Sequence, residues 1–598
     1  MPTIQLPLMK GSRKNPFVAD YVDLLPVNML AVQKEILNAG GYMRSFPGIS
    51  KGADVNGIAR GAEYNTKDNK IYRVSGGKLY SSGDELVDIP GSGRVSMAHS
   101  YNSQGIAANG KLLLYGYDSK EFKTLDNWPE RDVTQKGYEK TLSRWAHEPN
   151  GQDAFYVPDE AQKGKIVVTL TPVDAKGVSG ESISITEEQW GTEKAQEKPE
   201  DDKPWLTHIK ITGAKTNGSV VYITWWYKDK DPEDGASTDD ATTVSVDLHV
   251  EEVAIDYAQY DIGRVKDICQ NRSRYVWVKE GGDTFGVTDL EDESHPDRYR
   301  PFYRAESQPD GIIGVSSWRD LVVCFGSRTI EYFSLTGSSS ATDPIYIAQP
   351  SLMVNIGIAG MHCQCEYGES FAVLSHPASG TPSVYVVDSG SKTAIATATV
   401  EKILSEYSAD ELAGAVMESV RFEAHELLII HLARHVLCFD GSVSANGPQW
   451  CLLKSGLYSD TYRGIDFIHD GSGLTVGDKR EGTTGRLNFS LSSQYDDAAE
   501  LLLFTPMLKA DNTNLFDFEI ESAAGLAQRA EKLFLSATTD GCNYGHEQLI
   551  KSDDTYRYDA RVLLRRVGRC RKNIGFRIRL VTKTPTSLTL CQLRVGDG

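Results

Sequence analysis

The chain has 598 residues, of which 40% are hydrophobic, and its formal net charge is −19. This length allows several domains, or one large β-domain with additions. The negative charge disfavours tight, non-specific binding to duplex DNA, because phosphates are repelled at long range. No apolar run approaches the roughly 18 residues that span a bilayer, and the first residues show no apolar signal-peptide core. We therefore expect a protein without a membrane span that is made in a cytoplasm.

A pattern of strand, turn and strand repeats along most of the chain. Gly76-Gly77 separates two apolar runs and supplies the positive φ angles of a tight hairpin. Asn109-Gly110 gives the same signal between two further runs. When residues 136–259 are set aside, such units start roughly 40 to 55 residues apart, the spacing of four-stranded propeller blades. The pattern favours an all-β, β-propeller-like protein, and a large array of β-sandwiches is the alternative.

Composition divides the chain into regions. We assign the propeller-like body to residues 51–135 and 260–499, and interpret the proline-interrupted residues 1–50 as an extended N-terminal arm. Residues 136–259 contain 24 acidic and 13 basic residues and long alternating runs, which predict an inserted Ig-like or fibronectin-like domain. Residues 500–598 alternate again and predict a β-rich C-terminal region.

One segment, from Ser408 to Val420, has a helical pattern. Ser408 and Glu411 have the spacing of a capping box at a helix start. Leu412, Val416 and Val420 would then fall on one face of the helix. We therefore predict one surface helix between two blades.

Short motifs for catalysis or metal binding are incomplete. A G-x-x-x-x-G-K run precedes Leu112, where a phosphate-binding loop needs Ser or Thr to hold a metal ion. The His362-Cys-Gln-Cys365 run lacks the second pair of ligands that structural zinc requires. The nine cysteines have no regular spacing, which predicts free thiols. We assign no catalytic residue, no cofactor and no metal site.

The stretch from Thr288 to Ile312 combines acids, arginines and tyrosines. A glycosidase needs two carboxylates across a cleft, and the spacing here singles out no such pair. Arginine beside exposed tyrosine, which we expect at Tyr299 and Tyr303, is typical of protein interfaces. Our candidate contact residues in this stretch are Glu291, Asp292, Glu293, Arg298, Tyr299 and Arg304.

The segment from Arg561 to Arg579 holds eight Lys or Arg residues and no acid. Such a cluster contacts either phosphates or an acidic protein surface, and an ordinary charged strand face is the third interpretation. No base-stacking aromatic residues alternate with the arginines, so we favour a protein interface over nucleic acid. The candidate contact residues are Arg565, Arg566, Arg569, Arg571 and Lys572.

Several longer motifs resemble one family. "TDLEDESHPDRYRPFYRAESQPDGIIG", "IEYFSLTG", "LLIIHLARHVL", "NGPQWC" and "GYMRSFPGI" are similar to sequences of the packaged-DNA stabilisation proteins of short-tailed bacteriophages. These proteins are also called head-completion or tail-hub proteins. The resemblance covers nearly the whole chain except residues 136–259, which we expect to be an addition to the family pattern.

The resemblance implies a structural protein of the virion tail, assembled in the host cytoplasm, and not an enzyme. Proteins like this form a ring, usually a hexamer, below the portal–adaptor (head-to-tail) complex. The ring closes the channel to stabilise packaged DNA and offers attachment sites for a tail needle and tailspikes. Double-stranded DNA would pass through the channel without tight binding. The alternative is a carbohydrate-binding or carbohydrate-cleaving tail-associated β-propeller.

A ring of identical subunits needs two different complementary patches on each subunit, since its contacts run head to tail. The acidic stretch at Thr288 to Ile312 and the basic segment at Arg561 to Arg579 have opposite charge. We therefore predict that these two segments meet between neighbouring copies.

Overall fold

The structure is a computed structural model and describes most of the chain from residue 2 to residue 597. The residues it leaves out are 9–11, 15–20, 36–38, 126–137, 291, 298–300, 338–343, 378–379, 444–448, 458–459, 523–531 and 551–561. Between residues 138 and 261 it describes seven strands and not the segments that join them. None of the helices in the described part is long and apolar enough to cross a membrane.

Seven antiparallel sheets follow one another as propeller blades in the described part of the chain. Blade 1 contains Ala59–Asn65, Lys70–Ser75, Lys78–Ser81 and Asp84–Asp88, and blade 2 contains Ser96–His99, Ser103–Ala108, Lys111–Gly116 and Phe122–Thr124. Blade 3 contains Val265–Asn271, Arg274–Lys279, Thr284–Asp289, Asp292–Pro296 and Phe302–Arg304, and blade 4 contains Ile312–Trp318, Leu321–Gly326, Ile330–Leu335 and Tyr346–Ala348. Blade 5 contains Gln364–Tyr367, Ser370–Ser375, Ser383–Asp388 and Ser391–Ala394, and blade 6 contains Val416–Phe422, His425–His431, Val436–Asp440 and Trp450–Leu453. Blade 7 contains Gly464–His469, Leu474–Asp478, Thr483–Asn488 and Gly48–Asp54.

The propeller closes on itself through its innermost strands and through the chain start. The first strand of blade 7 contacts the first strand of blade 1, and first strands of most neighbouring blades contact each other in the same way. The outer strand of blade 7 is Gly48–Asp54, which pairs with Thr483–Asn488. Residues more than 400 positions apart therefore share one blade, so the end of the propeller is fastened to its beginning.

The turns predicted from glycine are confirmed. Asn109 and Gly110 have φ angles of 51° and 77° and join the paired residues Ala108 and Lys111. In the hairpin predicted around Gly76-Gly77, Gly76 has a φ of 54°, whereas Gly77 is outside the positive-φ region. Both φ angles at the Asn109-Gly110 turn are positive, which matches the right-handed twist of the flanking strands.

The predicted helix from Ser408 to Val420 is wrong in its length. Helix α2, Ala409–Ala413, has the expected capping box between Ser408 and Glu411, but Gly414 follows its end. Val416–Phe422 is instead the innermost strand of blade 6, paired with His425–His431. The tertiary pairing of this strand outweighs a helical pattern, as often happens where a β-rich segment can join a sheet.

A second short helix, α1 at Ala398–Leu404, was not predicted. Thr397 caps its first turn by accepting a hydrogen bond from the backbone N–H of Val400. Val400 and Leu404 are buried four residues apart, and this signal was available in the sequence. A 3-10 turn at Pro350–Leu352 completes the helical elements of the described residues.

The C-terminal region forms a β-sandwich together with part of the N-terminal arm. Its larger sheet contains Met29–Val32, Tyr42–Ser45, Ser587–Asp597, Thr513–Ser522, Val562–Cys570 and Thr3–Pro7. Its smaller sheet contains Ala499–Phe504, Asn573–Thr582, Lys532–Thr538, Gln548–Ile550 and Leu508–Lys509. Phe518 and Phe576, one from each sheet, lie with ring centroids 4.6 Å apart in the core. Strands from residues 1–50 thus complete a sheet of the C-terminal region.

Two further sheets lie within residues 136–259. One contains Tyr138–Trp145, Thr243–Val250, Ile166–Pro172 and Ile183–Ile185, and the other contains Gln152–Val157, Ser219–Trp226 and His208–Thr212. How the two sheets pack lies outside the described residues, so an Ig-like or fibronectin-like domain stays a prediction. Ser12–Lys14 and Tyr21–Asp23 form a separate two-stranded hairpin.

Candidate functional site

The acidic stretch is folded into blade 3 and the start of blade 4. Glu293 is only 7% exposed, and its carboxylate accepts a 2.6 Å hydrogen bond from Ser103 Oγ of blade 2. Tyr303 is 4% exposed and stacks on Phe285 with ring centroids 5.4 Å apart. Neither Glu293 nor Tyr303 therefore has the surface position that we expected, because each is used to join strands or to fill the core.

Other acids of this stretch also have internal partners. Asp297 is 1% exposed and pairs with Arg274 Nη1 at 2.8 Å. Asp310 is 8% exposed and accepts a 2.9 Å hydrogen bond from the backbone N–H of Thr329. These carboxylates fix the loop conformation. The stretch therefore exposes less negative charge to a partner than its sequence predicts.

The remaining candidates of the stretch divide into two groups. Asp292 is partly exposed and lies 2.9 Å from Nδ1 of His295. Arg304 is exposed and lies 3.6 Å from the carboxylate of Glu306, a weak surface pair. The other three candidates, Glu291, Arg298 and Tyr299, lie outside the described residues.

A cleft of about 300 Å³ between blades 2 and 3 is lined by part of this acidic stretch. Asp292 and Glu293 line it from blade 3, and Asp118, Glu121 and Lys123 line it from blade 2. We call these five residues the acidic cleft. Sequence reasoning missed Asp118 and Glu121, because only the packing of two blades brings them near the predicted stretch.

The basic segment lies at the rim of the sandwich. Val562–Cys570 is the edge strand of the larger sheet, and it carries exposed Arg565, Arg566 and Arg569. Exposed Arg571 and Lys572 form the turn that follows. We call these five cations the basic edge, and none of them has an ion-pair partner among the residues that the structure describes.

The last two arginines of the predicted segment behave differently. Arg577 and Arg579 reach the carboxylate of Glu547 at 2.9 Å and 2.8 Å, and Arg579 also reaches Glu500. The hydrogen bond and charge of Arg579 hold the pKa of Glu547 below its usual range. The basic segment therefore separates into a half-buried, paired part and an exposed edge without ion-pair partners among the described residues.

The basic edge also carries a β-bulge. Arg566 has a φ of 60° and Gly568 a φ of 127°, and the pairing with the neighbouring strand shifts between Leu515 and Asp517. Bulges and cations on edge strands prevent unwanted pairing with other strands. Protection of the edge from other strands therefore explains some of these charges. The same exposed charges can also contact an acidic surface.

Ion pairs also close the propeller between blades 7 and 1. Asp466 of blade 7 is 5% exposed, and it accepts a 2.7 Å hydrogen bond from Arg94 Nη2. Arg73 of blade 1, also 5% exposed, donates from Nη2 to the backbone carbonyl of Asp466 at 3.1 Å. We call Arg73, Arg94 and Asp466 the closing seam. Losing one member of such a buried cluster leaves an uncompensated charge.

A histidine beside the closing seam is kept neutral. Nε2 of His431 lies 2.6 Å from the carboxylate of Glu418, and Lys479 Nζ lies 3.1 Å from Nδ1. Burial, assisted by the charge of Lys479, lowers the pKa of His431 to about 4 against the opposing influence of Glu418. His431 therefore stays uncharged near neutral pH, between the charged groups of Glu418 and Lys479.

The centre of the propeller contains a cavity of about 380 Å³ lined by first strands. His99 Nδ1 lies 2.7 Å from Glu63 there, and this hydrogen bond raises the pKa of His99. Burial raises the pKa of Asp267, which also lines the cavity, to about 6. Among the described residues, no three or more His, Cys, Asp or Glu side chains are grouped to hold a metal ion.

Asn28 joins the propeller to the sandwich. Its φ is 54° and it is 1% exposed. Its Nδ2 donates to the carbonyls of Lys454, next to blade 6, and Glu500 of the sandwich at 2.9 Å and 2.8 Å. The Lys454 N–H returns a hydrogen bond to Oδ1 at 2.9 Å. One side chain therefore satisfies backbone groups of both domains.

Comparisons with known proteins agree with this architecture. A family described as the β-propeller of bacteriophage P22 Gp10 matches residues 4–141 and 177–492, and one described as the β-sandwich of the same protein matches residues 500–596. The tail hub protein gp10 of Salmonella phage P22 is 46% identical over 595 residues, covering 100% of both chains. The chain therefore belongs to the P22 Gp10 family, and the all-β prediction is confirmed.

The same comparisons correct one expectation. The family match resumes at residue 177 and the P22 relative aligns over 100% of the chain. Our prediction that residues 136–259 are an addition to the family pattern is therefore wrong. High acidity and the lack of cysteine and methionine made the region look foreign, although the relative has a counterpart to it.

Two solved structures are distant matches. The extracellular domain of the hybrid two-component system BT4673 from B. thetaiotaomicron is 10% identical, with 96% of this chain and 84% of that chain covered and a TM-score of 0.22. KlHsv2 with a replaced loop is 11% identical, with 66% and 96% covered and a TM-score of 0.24. Both scores are too low to support any inference.

Proposed function

We propose that this protein is a structural tail hub of a short-tailed phage. It forms a ring of six copies below the portal–adaptor complex and closes the channel, so that packaged DNA stays in the head. The tail needle and the tailspikes attach to it. The observation that carries the proposal is the full-length, 46% identical relative named as a tail hub protein.

The physical properties of the chain suit such a role. A closed propeller protects most of its strand edges within blades, and the closing seam and Asn28 fasten its parts with buried hydrogen bonds. Such hydrogen bonds oppose local unfolding of the subunit. The formal charge of −19 lets DNA move past the protein without tight binding. The proposed action contains no chemical step.

We propose further that the basic edge of one copy contacts the acidic cleft of the next copy. Head-to-tail contacts need two different patches, and these two patches have opposite charge. The five cations of the basic edge are exposed and have no ion-pair partner among the described residues. Asp118 and Glu121 of the cleft have side chains that are 92% and 65% exposed.

Charge reversal tests this contact. Arg565→Glu with Arg569→Glu, and separately Asp118→Lys with Glu121→Lys, are each expected to weaken ring assembly at least about tenfold, because like charges then face each other. Combining both pairs should restore part of the assembly. Native mass spectrometry with portal–adaptor complexes measures the ring, and Lys532→Glu, an exposed charge elsewhere on the sandwich, is the matched control. Unchanged assembly in both reversed variants contradicts the contact.

The function itself is tested in particles. Virions assembled without this protein are expected to lose packaged DNA, which becomes sensitive to nuclease, and adding the purified protein should restore retention. Particles that keep their genomes without it contradict the proposal. This result is independent of the charge-reversal test, because a hub can form through a different surface.

A further inference from the structure

Blade 6 places two cysteines directly opposite each other. Its third and fourth strands are Val436–Asp440 and Trp450–Leu453, and their register pairs Cys438 with Cys451. Both cysteines are free thiols, 0% and 3% exposed, and they lie in the same hydrophobic cluster. Their side chains therefore project from the same face of the sheet.

The spacing of opposed residues is close to that of a disulfide. Directly paired residues in antiparallel strands have Cα atoms about 4.5–5.5 Å apart and Cβ atoms about 4.5–5.5 Å apart. A disulfide accepts Cα distances of about 4.4–6.8 Å and Cβ distances of about 3.5–4.5 Å. A disulfide therefore needs the two Cβ atoms to move about 1 Å closer together, and the register of the strands need not change.

We propose that Cys438 and Cys451 are a redox-modified pair, which forms a reversible cross-strand disulfide when the protein meets an oxidising small-molecule disulfide. The proposed function supplies the setting, because a virion leaves a reducing cytoplasm at lysis and then stays in an oxidising medium. The bond closes the hairpin between the two outer strands of blade 6. The fourth strand forms backbone hydrogen bonds with Pro26 and Asn28 through Leu452, so the disulfide stiffens the side of the blade next to Asn28.

The reaction is a two-step thiol–disulfide exchange. The thiolate of Cys438 attacks a sulfur of oxidised glutathione, forming a mixed disulfide and releasing one glutathione thiolate. The thiolate of Cys451 then attacks the Cys438 sulfur and releases the second glutathione. Two protein thiols are oxidised, one glutathione disulfide is reduced to two thiols, and the two protons pass to water or to the released thiolates.

Register selects this pair over the other cysteines. Within the described strand pairs, no other two cysteines are partners, and Cys591, for example, is paired with Ile520 and Leu6. The hydrogen bond with Cys451, together with burial, raises the pKa of the Cys438 thiol. Little thiolate is therefore present at neutral pH, and the outer strand must open before reagents reach the sulfur. We expect slow oxidation that accelerates as the pH rises.

Peptide mapping of the folded, full-length protein tests the proposal. The protein is incubated with oxidised glutathione, alkylated, and digested without reduction. A peptide cross-linked between Cys438 and Cys451 is expected, and the number of thiols measured after denaturation should fall by two from nine. Dithiothreitol should restore both thiols.

Three outcomes would overturn the proposal: both cysteines stay alkylated as free thiols, the cross-link joins other cysteines, or only glutathione adducts form. Cys451→Ala should abolish the cross-link, whereas Cys591→Ala, which removes a buried thiol of the sandwich, should leave it intact. If Cys451→Ala fails to fold, mapping of the unmodified sequence still decides, because it needs no variant.

Discussion

The closing seam of the propeller and the basic edge of the sandwich both depend on arginine, but they use it in opposite ways. Arg73 and Arg94 reach Asp466 or its carbonyl within a buried cluster, and Asp466 is only 5% exposed. Arg565 and Arg569 are exposed on an edge strand and have no ion-pair partner among the described residues. Buried, paired arginine holds a fold together, whereas exposed, unpaired arginine is available to another molecule.

The difference shows why charge alone does not locate a contact surface. In the sequence, the acidic stretch and the basic segment look equally suited to partners. In the structure, Glu293, Asp297 and Asp310 are internal, while the basic edge remains open. Variants of the closing seam should therefore reduce stability, whereas variants of the basic edge should reduce assembly.

The largest effect is expected from Asp466→Asn. The substitution keeps a residue that tolerates the positive φ of 56° but removes the charge that compensates Arg73 and Arg94. We expect a loss of about 3–5 kcal/mol in the free energy of unfolding, measured by urea denaturation. Asp320→Asn, which breaks an exposed pair with Arg272, is the control and should change little. If both variants change the free energy of unfolding by the same small amount, the closing seam is no more important for stability than an exposed ion pair.

A smaller loss is expected from Asn28→Ala. This variant removes three hydrogen bonds to buried or partly buried backbone groups and places alanine at a φ of 54°. We expect destabilisation of about 2–3 kcal/mol, together with separate unfolding of propeller and sandwich in calorimetry. Asn69→Ala has nearly the same φ, 55°, at an exposed turn and loses only an exposed hydrogen bond from Tyr64, so it measures mainly the backbone contribution. A single, unchanged transition in Asn28→Ala would show that the junction does not couple the domains.

The histidine beside the seam gives a pH test. The pKa of His431 is lowered from 6.5 to about 4, so the unfolded chain takes up a proton first as the pH falls. Neutral His431 therefore contributes fully to the stability of the fold above pH 6.5. Between pH 6.5 and pH 4 the free energy of unfolding falls by about 1.4 kcal/mol per pH unit because of this group. His431→Gln should flatten the acid side of the urea midpoint profile, and exposed His469→Gln should not. A profile that is equally steep in His431→Gln would assign acid sensitivity to other groups.

The smallest effect on stability is expected at the basic edge. Arg565→Glu with Arg569→Glu should change the free energy of unfolding by no more than about 0.5 kcal/mol, since no described carboxylate loses its partner. The same variant should reduce ring assembly strongly, which is the reverse of the pattern expected for Asp466→Asn. Urea denaturation and native mass spectrometry on the same samples measure both quantities. Destabilisation comparable to that of the seam would mean that the edge is structural.

The repeated strands and their turns were predictable because they are local. Positive φ angles at Asn109-Gly110 and Gly76 follow from residue types within a few positions, and the spacing of such units predicts blades. The capping box at Ser408 was local too, but the helix length was not, since pairing of Val416–Phe422 with a neighbouring strand decided it.

By itself, the sequence determined that the chain is all-β, that its repeats have blade spacing, and that its family motifs run through most of its length. Only the tertiary structure decided which charged side chains are exposed for contact with a partner. Blade packing buried Glu293 and brought Asp118 to the same cleft. Packing within the sandwich paired Arg577 with Glu547, whereas Arg565 has no ion-pair partner among the described residues. The physical reason is that turn geometry depends on adjacent residues, whereas the burial and pairing of a charge depend on side chains that are distant in sequence.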